Sequence, residues 1–286
     1  MTIEKWQSFG NFHTILGKKV FVIDKGSSKR TIVILHGYPT SSYDYWMVID
    51  KLSNKYRVII HDHLGFGLSE KPLNYSYSLI EQAEVALSLW KSLQLNEVII
   101  LAHDYGTSIA TEILARLQNT SVPIKINTLI LCNGSIHIEL AKLRLIQKLL
   151  KNKRIGPLVA KLASQRTFVR NMKNIWYDSS KITTKELKEM WLLLIAGNGR
   201  KVLPKLTQYI NERSIYWHRW IGALQQTEIP VKIVWATEDP VAVKDIAIKL
   251  HEEIPTSEIR FLEKTGHYPM LENPNEWLEL IFKSLK

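Results

Sequence analysis

Two carboxylates and an imidazole, well separated along the chain, have the chemistry of a nucleophilic hydrolase: Asp104, Asp239 and His267. An ionised carboxylate can attack an electrophilic carbon directly. A histidine then activates the water that frees the product, and a second acid holds that histidine in place. The first of the three lies in Ala102-His103-Asp104-Tyr105-Gly106. Before it runs the apolar stretch Val98–Ala102, the pattern of a strand buried on both faces. After it come Ile109, Ile113 and Leu114 at helical spacing. No residues are left for a loop, so the strand reverses straight into a helix, with small Ala102 and Gly106 beside the turn. Asp104 at its apex is either a nucleophile or an acid at a helix N-terminus.

The elements that must position these groups alternate. Strand-like runs fall at Phe12–Ile15, Lys19–Asp24, Thr31–Leu35, Arg57–Ile60, Val98–Ala102, Thr128–Cys132, Val231–Trp235 and Ile259–Leu262. Helical spacing predicts Ser41–Asn54, Ser78–Leu93, 241–252 and a last helix from Asn275. The alternation implies an α/β fold with a mostly parallel sheet, whose functional loops follow the C-terminal ends of strands. Asp239 and His267 both stand on such loops. Singly, Asp239 could be an N-cap and His267 an exposed loop residue; together, each at the expected strand end, they favour a site. Glu238 is the neighbouring alternative to Asp239. The turn His36-Gly37-Tyr38-Pro39 also follows a strand, and its Tyr38 N–H beside the Tyr105 N–H would make an oxyanion hole. From Ile138 to Ala223 no strand pattern occurs, so the chain reads as residues 1–135 of core, a helical lid over 136–225, and core again over 226–286.

The remaining composition narrows the function. A single cysteine, Cys132, rules out a disulfide framework and reads as a small buried residue at a strand end. The first residues form no apolar run of signal-peptide length, and no window suits a membrane span, so a soluble, cytoplasmic protein is expected. The net charge of +11 is concentrated: residues 136–225 hold 18 Lys/Arg against 5 Asp/Glu, or +13, leaving 20 against 22, or −2, elsewhere. A solvated surface is the plain explanation. Peripheral contact with anionic membrane through the basic, amphipathic Leu140–Leu150 is the functional one, and nucleic-acid binding is not expected. His61-Asp62-His63 suggests metal ligation, but neighbouring strand-end side chains point apart and Asp62 reads as a turn residue; no metal or cofactor is expected. Gly65-Phe66-Gly67 lacks the context of a phosphate loop. Ser108, one helical turn past Asp104, is not at the apex of the turn. Trp176, Trp191, Trp217 and Trp220 are expected to pack the lid and wall an apolar pocket.

The motifs His36-Gly-Tyr-Pro, Asp62-His-Leu-Gly-Phe-Gly, His103-Asp-Tyr-Gly, Asp239-Pro and Gly266-His267 resemble the epoxide hydrolase/haloalkane dehalogenase branch of the α/β-hydrolases. Within it the chain is similar to the mesoderm-specific transcript proteins, through His36–Asp44, Ala102–Gly106, Gln208–Arg213 and Arg219–Leu224. The likeness runs from about Lys5 to the C-terminus, without the N-terminal hydrophobic anchor of vertebrate members. It implies an α/β-hydrolase fold in which Asp104 forms an alkyl-enzyme ester with a small apolar electrophile and water hydrolyses it under His267 and Asp239. For an epoxide it implies a lid tyrosine as proton donor, with Tyr209 the best match and Tyr177 and Tyr216 weaker ones. A halide would call for indole or amide N–H donors, where this chain has Tyr38 and Tyr105. A non-catalytic scaffold on the same fold is the further alternative.

Overall fold

The computed structural model describes residues 1–119 and 124–286. The chain opens with α1 (Ile3–Gln7), then β1 (Asn11–Ile15), β2 (Lys18–Lys25), β3 (Thr31–Leu35), α2 (Ile49–Ser53), β4 (Arg57–His61), α3 (Leu79–Ser92), β5 (Glu97–His103), α4 (Tyr105–Asn119) and β6 (Lys125–Cys132). Six helices follow without a strand: α5 (Leu145–Leu150), α6 (Gly156–Leu162), α7 (Gln165–Lys173), α8 (Thr184–Ile195), α9 (Gly199–Leu206) and α10 (Tyr209–Gln225). The alternation then resumes with β7 (Val231–Ala236), α11 (Lys244–Glu253), β8 (Ser257–Leu262), α12 (Pro269–Glu272) and α13 (Pro274–Ser284).

The strands form one sheet in the order β1-β2-β4-β3-β5-β6-β7-β8. The β1-β2 and β2-β4 pairs are antiparallel, and β4 to β8 run parallel. In β3 every residue is buried, and in β5 only Glu97, at its start, is exposed. Continuous apolar runs at these positions follow from helices covering both faces. All the parallel strands therefore point their C-terminal ends to one edge, where the loops after β3, β5, β7 and β8 converge.

The structure departs from the sequence expectations at element boundaries. The predicted helix over Ser41–Asn54 is a short 3-10 turn, Ser42–Tyr45, followed by α2. The Asp62 carboxylate accepts the Ser42 N–H at 2.8 Å, tying the start of this segment to the β4 loop. The helix expected over 241–252 begins only at Lys244, because Asp239 Oδ1 accepts the N–H groups of Val241 (2.8 Å) and Ala242 (3.0 Å) and holds them in a turn. The short α1 went unpredicted; it buries Trp6, whose indole N–H donates to Ser42 at 3.1 Å.

Candidate active site

At the end of β5 the chain turns into α4 through Asp104, which takes φ = 44°. This left-handed backbone is uncommon for a residue with a side chain, though aspartate tolerates it better than most. It is held by the Asp104 N–H, which donates to the Cys132 carbonyl at 3.1 Å. A Cβ on Gly106 would sit 2.1 Å from the Leu35 carbonyl oxygen, so α4 can cross β3 this closely only with glycine there. The Asp104 carboxylate is only 3% exposed, and its Oδ2 accepts the Tyr38 N–H at 3.0 Å. The preceding Gly37 makes that approach possible: a Cβ there would lie 2.8 Å from His103 Nδ1 and 3.1 Å from Asp104 Cβ.

His267, on the loop after β8, places Nε2 3.9 Å from Asp104 Oδ2 and Nδ1 2.7 Å from Asp239 Oδ2. Asp239 is held on four sides: the two amides of its own turn, His267, and the Asn133 side-chain N–H at 2.9 Å. Glu238 is exposed, with its carboxylate 3.3 Å from the Thr237 hydroxyl. Burial alone would push the His267 pKa down, but Asp239 and Asp104 overcome it and raise it to about 10. For Asp104 burial pulls upward; His267, Arg213 and His103 outweigh it and keep the carboxyl below its usual range. The resting pair is therefore a carboxylate facing an imidazolium.

Two residues to which the sequence reading gave no role complete this arrangement. Arg213, 1% exposed on α10, donates from Nη2 to the Asp104 carbonyl at 2.9 Å and from Nε to Ser108 Oγ at 2.8 Å. Its Nη2 is also 3.7 Å from Asp104 Oδ1. Asn133 takes φ = 41° just past β6, and its Oδ1 accepts the Ala236 N–H at 3.0 Å while its amide serves Asp239. Its place at a parallel strand's C-terminal end was the available clue. Ser108 is buried as the acceptor for Arg213, away from the apex of the turn.

Tyr209 is buried, its ring centroid 5.2 Å from those of both Tyr38 and Tyr105. Its hydroxyl accepts the Gln147 side-chain N–H at 3.2 Å, and the Arg213 guanidinium lies 4.6 Å from its ring. Burial pushes its pKa well up and keeps the phenol protonated. Tyr177 is 52% exposed, and Tyr216 packs on Trp220. Over the carboxylate lies a cavity of about 480 Å³, bounded by Asp104, Tyr38 and His267 below and by Gln147, Phe168, Trp191 and other residues of the helical segment above. Of the other tryptophans, Trp176 stacks on Tyr268, Trp220 donates to Glu112, and Trp217 is 41% exposed, so only Trp191 walls the cavity.

The histidines after β4 correct one expectation. His61 and His63 do not diverge: His63 Nδ1 lies 3.2 Å from His61 Nε2, and the His63 N–H donates to His36 Nε2 at 3.0 Å. Burial pushes all three well below the usual histidine range. Among the described residues no group of three or more His, Cys, Asp or Glu side chains is arranged to hold a metal ion. Asp62 spans the turn between the Ser42 and Leu68 amides. Burial raises the Cys132 pKa to about 12, which leaves it a structural thiol.

Comparison with known proteins agrees with this fold. The family model for the alpha/beta hydrolase fold matches residues 30–274. LipZ of Mycobacterium tuberculosis is 36% identical over 278 residues, covering 97% of this chain and 96% of that one. The mesoderm-specific transcript protein of Mus musculus is 35% identical over 286 residues, covering 96% and 85%. The structure of the epoxide hydrolase CorEH superposes with a TM-score of 0.78 at 18% identity, covering 96% and 98%. The chain belongs to the α/β-hydrolase fold family, on the branch that includes the mesoderm-specific transcript proteins and the epoxide hydrolases.

Proposed function

We propose that this hydrolase opens an epoxide on an apolar substrate through a covalent ester on Asp104. One observation carries the reading: a buried, ionised carboxylate at a left-handed strand-to-helix turn faces a histidine that is itself bonded to a second buried acid. A carboxylate needed only for capping has no use for that partner. The helical segment over 136–225 acts as a lid that supplies most of an apolar cavity wall.

One Asp104 oxygen attacks an epoxide carbon, and that carbon–oxygen bond breaks as the ring oxygen takes a proton from Tyr209. Tyr209 suits this role because its hydroxyl accepts from Gln147, leaving its own proton for a substrate oxygen. Once the ester forms, the Asp104 charge that held the His267 proton is gone, and the imidazolium returns a proton to the Tyr209 phenolate. The neutral imidazole then removes a proton from water through Nε2, and the hydroxide adds to the ester carbonyl. The oxyanion so formed is stabilised by the Tyr38 N–H, already bonded to Oδ2, together with the Tyr105 N–H at the start of α4. Collapse releases a diol and regenerates the carboxylate, which again faces the imidazolium of His267. No cofactor or metal enters this cycle.

Single turnover in water carrying a heavy oxygen isotope tests it. The label appears first in the Asp104 side chain, because water attacks the ester carbonyl; label confined to the diol would rule out the ester. Screening epoxides against haloalkanes separates the two leaving groups, with haloalkane turnover alone favouring a dehalogenase. Full activity in Asp104→Ala would overturn the ester on Asp104, and no reaction with any electrophile would favour a non-catalytic role.

A further inference from the structure

The apolar side chains at the start of the helical segment are not all tucked inward. Leu145 and Leu162 are each 71% exposed, Leu158 57% and Ile155 42%. Leu158 and Leu162 stand one turn apart on one face of α6. Leu145 and Leu162 also line the cavity above Asp104, so this exposed patch is continuous with the interior of the site. The sequence placed the amphipathic face over Leu140–Leu150, but Leu140, Leu143 and Ile146 pack partly buried against the core, and the helix there begins only at Leu145. The exposed face is built instead from the first residue of α5 and from α6.

The charge around the patch has one sign. The 38 residues from Leu140 to Tyr177 hold ten Lys/Arg and no Asp/Glu. Lys148, Lys153, Arg154 and Lys161, which flank the exposed leucines in sequence, are themselves exposed. Apolar side chains that insert, ringed by cations that attract, match the two components of an anionic lipid interface. A second copy of the chain would bring the same positive charge to meet itself, which disfavours self-association through this face.

We propose that the α5–α6 face docks on anionic lipid surfaces, and that the cavity draws amphiphilic substrates directly from them. Docking stands on the surface alone; the substrate class rests on the hydrolase reading above.

Co-sedimentation with phosphatidylcholine vesicles, with and without phosphatidylserine, tests the docking. The wild-type chain pellets with the anionic vesicles, releases at high salt and ignores the neutral ones. Leu158→Glu/Leu162→Glu abolishes pelleting. Lys153→Gln and Lys161→Gln each weaken it about fivefold. Ile215→Glu, at a 66% exposed apolar residue on α10, leaves it unchanged. Asp104→Asn binds as the wild type; vesicle binding by the wild type with no turnover of any electrophile would sink the catalytic reading and spare this one. Equal binding to neutral vesicles, no binding at all, or full binding by the double variant would overturn docking. So would a dimer in solution that the double variant splits while the wild type ignores vesicles.

Discussion

The Arg213 guanidinium donates to the backbone carbonyl of Asp104 at 2.9 Å, so a residue of the helical segment holds the turn that presents the carboxylate. Arg213 is a positioning residue, since it reaches the carboxylate only at 3.7 Å. Arg213→Met should lower stability by about 1.5–3 kcal/mol, the usual worth of a hydrogen bond to a charged group. It should also remove one of the influences that keep the Asp104 pKa low. The acid limb of ester formation then moves to higher pH, with Arg213→Lys intermediate. An unchanged acid limb with only a lower Tm would reduce Arg213 to a structural role.

His267→Gln should leave the ester stranded. Intact-mass spectrometry after exposure to an epoxide would show one adduct per chain, mapped by peptide analysis to Asp104. An unmodified protein would count against the nucleophile.

The histidine's proton affinity should change within the cycle. Asp104 contributes to raising the His267 pKa toward 10, and esterification removes that negative charge. Ester hydrolysis is therefore predicted to lose rate on acidification around a pKa well below the one that NMR titration gives for the free protein. Coincidence of the two values would contradict the coupling.

The same pair predicts a stability profile. A histidine with a raised folded pKa contributes fully below its ordinary 6.5 and loses that contribution as pH rises through about 10. A carboxylate with a depressed folded pKa contributes above its ordinary 3.8 and loses that contribution on further acidification. The Tm difference between wild type and His267→Gln should thus be widest between those two ordinary values and shrink toward pH 10. A difference flat across that range would mean that the ion pair contributes no pH-dependent stability.

Gly37→Ala should displace the Asp104 carboxylate while leaving its identity unchanged. The added methyl would lie 2.8 Å from His103 Nδ1 and 3.1 Å from Asp104 Cβ. Overpacking of this kind costs about 1–3 kcal/mol, and the forced shift should also lower kcat by breaking the Tyr38 N–H contact. Wild-type kcat in a folded variant would show that the turn can absorb the methyl.

What was legible in the sequence follows from what is local. Buried parallel strands print as continuous apolar runs, so β3, β5, β6 and β7 were readable, and with them the strand-end loops bearing Asp104 and Asp239; His267 follows β8, which is only partly buried and was read from Ile259–Leu262. The broken helix after Ser41 was not readable, because its start is set by Asp62 from the loop after β4. Arg213 was hidden for a similar reason. An arginine amid polar residues of a helix looks like a solvated one, and only the packing of α10 on α4 turns it inward. Asn133 left a trace only in its position.

Glu112, buried on α4, accepts from Arg219 with both oxygens, at 2.8 and 3.1 Å, and from the Trp220 indole at 2.9 Å. Nearer the start of α10, Glu212 accepts the first amide of α3 at 2.7 Å. Mechanically, then, α10 is a beam of the sheet domain, although it lies on the far side of five other inserted helices in sequence. Hydrogen exchange should show its amides opening together with α4, while α5 to α7 open on their own. Any breathing of the cavity is thereby confined to the helices that line it, α5 to α9, and Tyr209 and Arg213 stay in register with Asp104 whether the site is open or shut.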